Sequence, residues 1–141
     1  MESWLLDTAL FESLAPVGPH TDSVRQWIET HEDPVFVSAA SIRKIETAIE
    51  RIQAGQGERV HALTKWLDAL VTNFSDRIHP LDGEVYTRAS EIMRHWQPLR
   101  VRVRYHDVLL VATAQVYGHG LLTDRDFFGF GSWVRVKVAC F

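Results

Sequence analysis

The chain of 141 residues has one cysteine, Cys140, which excludes an internal disulfide framework and a cysteine-rich zinc site. It has no apolar run near the ~20 residues that a membrane-spanning helix needs. It also lacks a basic surplus: 15 Lys and Arg against 18 Asp and Glu leave a formal net charge of −3. A protein that coats nucleic acid through phosphate contacts carries the opposite balance. An enzyme with acidic ligands inside a local basic rim stays open. No serine sits in a glycine-flanked elbow, and no His-Glu-x-x-His is present. Gly118-His119-Gly120 is too short for a phosphate loop and precedes a strand rather than a helix. The early acidic pair of a receiver-type phosphorylation domain is missing. There is no repeat and no low-complexity tract. Met1-Glu2-Ser3-Trp4 places an acid where a secretory signal carries basic residues. Together these absences predict one cytoplasmic domain spanning residues 1–141, long enough to bury a core without staples.

What is present alternates between short strands and helices. Trp4-Leu5-Leu6 reads as a first strand, followed directly by Asp7 and a short helix to Leu14. Pro16, Gly18 and Pro19 mark a turn. Thr21 or Asp22 caps a helix with Val24, Trp27 and Ile28 on one face. Val35-Phe36-Val37 is a β-branched and aromatic strand. Ser41 then caps a helix with Ile42, Ile45, Ile49 and Ile52 at helical spacing, which ends at Gly55 and Gly57. Val60, Leu63, Leu67, Leu70 and Val71 form another helical face. Arg77-Ile78-His79 is a strand before Pro80, and Val85, Ala89, Ile92 and Met93 belong to a helix. Asp107 opens an apolar helix to Val116. Leu121-Leu122-Thr123 is a strand, and Trp133 to Val138 alternates as an edge strand does. Strands separated by helices predict a mainly parallel sheet with right-handed crossovers. Ligands of such sheets sit beyond the carboxyl ends of the strands. Asp7 and Asp124 fall there, and Asp107 begins the helix leading into the fourth strand.

Phosphodiester hydrolysis needs an activated water and neutralised phosphate charge, and a hard divalent cation supplies both. Mg²⁺ takes a few carboxylates and keeps several waters. Asp7, Asp107 and Asp124 suit that chemistry if they converge. Taken singly, Asp7 and Asp107 read equally well as helix caps and Asp124 as a turn residue.

The ordered set of segments is more specific than any one of them. Leu5-Leu6-Asp7-Thr8 resembles the opening of PIN domains, and Val37-Ser38-Ala39-Ala40-Ser41-Ile42 resembles their second strand and helix start. Arg77-Ile78-His79-Pro80-Leu81-Asp82, His106-Asp107-Val108-Leu109-Leu110-Val111-Ala112-Thr113-Ala114 and Leu122-Thr123-Asp124-Arg125-Asp126-Phe127 resemble later segments of that family in the same order. The chain therefore resembles VapC- and FitB-like toxin ribonucleases of type II toxin–antitoxin systems. The resemblance implies a three-layer α/β/α domain and an endoribonuclease using Mg²⁺ or Mn²⁺ held by Asp7, Asp107 and Asp124, with Asp126 as the rival late acid. It also implies an RNA substrate, a cognate antitoxin and a homodimer.

The departures lie around the second acid. Counting from Ser38, the family's Glu position is Lys44. Glu46 is about 200° further around a helix and faces nearly the opposite way. Ala9 replaces an Asn that usually braces the first Asp, and Glu12 is an alternative acid from the first helix. These changes define the second expectation, a PIN-like domain with weakened or lost catalysis that binds protein or RNA. Arg100, Arg102 and Arg104, alternating with Val101 and Val103, would share one face of an extended segment and suit either a phosphate backbone or solvent. Of seven histidines, only His106 neighbours the expected chemistry.

Overall fold

The computed structural model describes residues 2–15, 21–52, 54–100, 102–125, 130–131 and 133–138. The expected turn at Pro16, Gly18 and Pro19, the rival acid Asp126 and Cys140 lie outside them. The elements run β1 (Trp4–Leu6), α1 (Thr8–Glu12), α2 (Thr21–Thr30), β2 (Val35–Ser38), α3 (Ala39–Glu50), α4 (Gly57–Asn73), β3 (Ile78–His79), α5 (Gly83–Trp96), α6 (Tyr105–Tyr117), β4 (Gly120–Thr123) and β5 (Val136–Val138).

The sheet order is β3-β2-β1-β4-β5, and every pairing is parallel. The chain steps outward from β1 to β3, then returns to the other side of β1 with β4. The boundary between β1 and β4 is thus the point where the winding reverses, and in sheets of this kind the ligand crevice lies there beyond the strand ends. β1 is buried along its whole length, as a central parallel strand covered on both faces must be. Its side chains alternate between two cores. Leu5 packs with Val85, Ala89 and Ile92 of α5, Leu110 of α6 and Leu121 of β4. Trp4 and Leu6 pack with Phe11, Val24, Val35, Val37, Ile45, Leu67 and Leu122 on the opposite face. This is the three-layer α/β/α arrangement expected from the sequence.

Two helix starts differ from expectation. Ser38, not Ser41, caps α3: its Oγ accepts from the Ala40 N–H at 3.0 Å, and the chain passes from strand to helix without a loop. Ser41 is buried one turn inside. Asp107 does not cap α6, which begins at Tyr105 with Arg104 in the cap position. The run Asp107 to Ala114 is buried at all eight positions, so α6 is apolar around most of its circumference and sits inside the molecule. The expected extended run of arginines also fails. Arg100 closes a 3₁₀ turn in the left-handed conformation, φ 53°, which breaks the alternation with Arg102 and Arg104.

β4 begins against Trp4. A methyl group at Gly120 would lie 2.4 Å from Trp4 Cζ3 and 2.7 Å from Cε3. The indole is 5% exposed, donates from Nε1 to Asp33 at 3.2 Å, and lies under the cationic ends of Arg135 and Lys137. It has no free direction in which to retreat. Gly120→Ala is expected to cost about 3 kcal/mol, as overpacking of a filled core does. A urea midpoint equal to that of the unchanged protein would show that the indole can move after all.

Candidate metal centre

Asp7 follows β1 at the reversal point, with its N–H bonded to the Leu122 carbonyl at 2.8 Å. It occupies the cap position of α1, yet its side chain makes no capping bond. The carboxylate instead turns into the crevice, 1% exposed. Asp107 enters the same crevice from the first turn of α6, at 8% exposed. Both acids therefore escape the cap reading that each allowed on its own.

The group that joins them is Arg125, in the turn after β4. Its Nε donates to Asp7 Oδ2 at 3.1 Å, and its Nη2 donates to Asp107 Oδ1 at 2.7 Å, with a longer Nη1 contact to Asp107 Oδ2 at 3.5 Å. Thr123 braces the assembly: its hydroxyl donates to Asp7 Oδ2 at 2.8 Å and accepts from the Arg125 N–H at 3.1 Å. Burial works against the charge of Arg125, but hydrogen bonds and charge from Asp107 and Asp7 outweigh it and hold the guanidinium above its usual pKa. Asp7 Oδ1 is buried and has no hydrogen-bond partner among the described residues.

A hydroxyl network lies beside this pair. Thr8 Oγ1 is 2.6 Å from both Ser41 Oγ and His106 Nε2. His106 is lowered from its usual pKa by burial first and then by the charge of Lys44, with Asp107 and Asp7 opposing. Lys44 is exposed on α3 but close enough to act on this imidazole. An open cleft of ≈ 490 Å³ runs from His106 along α3, where Glu12, Arg43, Lys44, Arg51 and Leu109 line it.

The structure thus brings together Asp7 and Asp107, and leaves Asp124, Glu12 and Glu46 exposed. Among the described residues, no group of three acidic, histidine or cysteine side chains converges to hold a metal. The donor set is nonetheless right for a hard cation. Two buried carboxylates share one positive group, and one carboxylate oxygen is left unsatisfied, which a small oxygen-seeking ion would remedy. Sequence reasoning missed Arg125, Thr123 and the Thr8–Ser41 pair. Short hydroxyl side chains and an arginine flanked by two aspartates carry no pattern of their own, and only the fold gives them partners.

A model of the PIN domain matches residues 5–128. No curated protein matches the chain. Among solved structures it is similar to FitAcB from Neisseria gonorrhoeae, at 23% identity and a TM-score of 0.75 over 94% of each chain. It is similar to VapBC2 from Rickettsia felis bound to a promoter DNA fragment, at 12% identity and a TM-score of 0.76, covering 95% of this chain and 96% of that one. It is also similar to the sarcin-ricin loop cleaving toxin VapC20 from Mycobacterium tuberculosis, at 16% identity and a TM-score of 0.63, covering 92% and 94%.

Proposed function

Since the chain belongs to the PIN domain family, we propose that it is a metal-dependent endoribonuclease, the toxin half of a toxin–antitoxin pair. The observation that carries this reading is the convergence of Asp7 and Asp107 at the reversal point of the sheet, with Asp7 Oδ1 left without a partner among the described residues. Asp7 and Asp107 would hold Mg²⁺ or Mn²⁺, with Asp124 as the third acid from the adjoining turn. When bound, the ion supplies neutralisation of phosphate charge and activation of water. The chain's own residues do the rest. Thr123 fixes the orientation of Asp7 Oδ2, and the buried body of α6 keeps Asp107 from drifting. Lys44 and Arg51, beside Arg43 paired with Glu50, give the cleft positive groups that suit an RNA backbone despite the net charge of −3.

The same reading gives the protein a cognate antitoxin, a homodimeric state and a place in the cytoplasm. Solved relatives include the DNA-bound VapBC2, which supports an antitoxin partner. Tyr86, Leu99 and Tyr105 are large exposed apolar side chains, available for protein contacts. No described helix is long and apolar enough to cross a membrane.

The occupancy of the crevice by Arg125 favours a second reading, a domain that binds RNA or protein and has lost catalysis. One assay separates the two. RNA cleavage is followed with Mg²⁺ or Mn²⁺ and again in EDTA, alongside RNA binding. Cleavage that needs the metal supports the enzyme. Binding without cleavage supports the second reading, and cleavage at full rate in EDTA removes the metal mechanism.

A further inference from the structure

Arg125 bridges the two carboxylates that would hold a divalent ion. Its planar fork spans two carboxylates from different elements, at 3.1 Å to Asp7 and 2.7 Å to Asp107. Arginine suits this role because its five N–H groups match carboxylate geometry and it keeps its charge. The acids are nearly buried while the arginine side chain is 40% exposed. The acids are therefore fixed and the cation has a way out to solvent.

We propose that Arg125 is a tethered competitor of the metal, holding the two carboxylates until a divalent ion displaces it and so setting the metal concentration at which the site loads. This rests on the metal-binding reading above. Two like charges buried side by side repel, and a cation between them removes that cost. A cation attached two residues after Thr123 is present at high effective concentration, unlike an ion in solution. Binding of the ion then requires a state in which the guanidinium has left. The apparent dissociation constant rises by the inverse of the fraction of molecules in that state. Thr123 keeps its bond to Asp7 Oδ2 independently of the guanidinium, so the crevice does not have to be rebuilt when Arg125 leaves. Departure of Arg125 also frees a guanidinium at the mouth of the crevice, where an RNA phosphate would approach.

The experiment is a Mn²⁺ titration of metal-free protein, following the loss of the free-ion electron spin resonance signal. Arg125→Met keeps much of the length and removes the charge. Its dissociation constant for Mn²⁺ is expected to fall about tenfold or more. In EDTA the variant should melt below the unchanged protein, and saturating Mn²⁺ should raise its Tm by the larger amount. Arg125→Lys, which keeps a cation but not the fork, is the second variant in case the first does not fold. Its dissociation constant should fall about threefold. Equal dissociation constants in the variant and the unchanged protein, or weaker binding in the variant, overturn the competitor role while leaving the metal site standing. No Mn²⁺ binding in any of the proteins overturns both.

Discussion

Asp7→Asn is expected to reduce RNA cleavage by roughly a hundred- to a thousandfold, the scale on which removal of one well-placed electrostatic group acts. Asn keeps the shape of the side chain and one oxygen acceptor, so the Thr123 hydroxyl retains its partner. What is lost is one of the two buried negative charges, and with it most of the attraction for a divalent ion. The fold should tolerate the change. Arg125 stays paired with Asp107 at 2.7 Å and is partly solvated, so no buried cation is stranded. The expected signature is a severe loss of cleavage with a Tm within a few degrees of the unchanged protein. Cleavage within tenfold of the original rate, under Mg²⁺ or Mn²⁺, would mean that the chemistry is elsewhere.

The second large effect concerns acid stability and lies away from the crevice. His79 and His119 meet through their Nε2 atoms at 2.7 Å, and His119 Nδ1 is 2.6 Å from Ser3 Oγ. Phe36 and Tyr117 stack against this pair. Tyr117 donates its hydroxyl to Asp82, whose other oxygen caps α5 at the Val85 N–H. One shared hydrogen bond between two imidazoles needs a donor on one ring and a lone pair on the other, so both rings cannot be charged. His119 is pushed down to about 4 by burial first and the facing His79 second. His79 is lowered by burial, with Asp82 opposing.

Both shifts lie below the ordinary histidine value, so the unfolded chain takes up protons first as the pH falls. The stability contribution is complete above about pH 6.5 and is lost on the way down to pH 4. Between pH 7.5 and pH 5 the loss from His119 is about 2 kcal/mol, equivalent to a Tm drop of about 4–8 °C for a chain of this size. His119→Gln should flatten that dependence, because the group can no longer charge. A Tm that is constant across this pH range in the unchanged protein would sink the prediction.

The strands and their parallel pairing were legible in the sequence, the strands as short local runs and the pairing from the helices between them, whereas Asp7 and Asp107 stood out only through the ordered set of segments. Trp4-Leu5-Leu6 and Leu121-Leu122-Thr123 are short apolar runs, directly followed by Asp7, which is buried, and by Asp124, which is exposed. The helix starts were less legible because cap chemistry competes among neighbours. Ser38 and Ser41 are both good caps, and only the direct strand-to-helix passage decides for Ser38. The alternation of Arg100, Arg102 and Arg104 suggested an extended face, but the left-handed turn at Arg100 is set by the end of the preceding helix, not by the arginines. Arg125 was illegible for another reason. Between Asp124 and Asp126 it reads as a solvated turn residue, while the two acids it bridges lie 118 and 18 positions away.

That separation has a consequence for synthesis. Asp7 emerges from the ribosome first, and Thr123 and Arg125 emerge more than a hundred residues later, yet all three meet in one crevice. β4 must slide in beside β1 before the crevice has its second wall. Contacts this distant along the chain form late in folding. A nascent or truncated chain that stops short of residue 123 therefore has its first acid in place and no working cleft. Translation delivers the arginine in the same stretch that closes the crevice, so the newborn site is closed and occupied in one event.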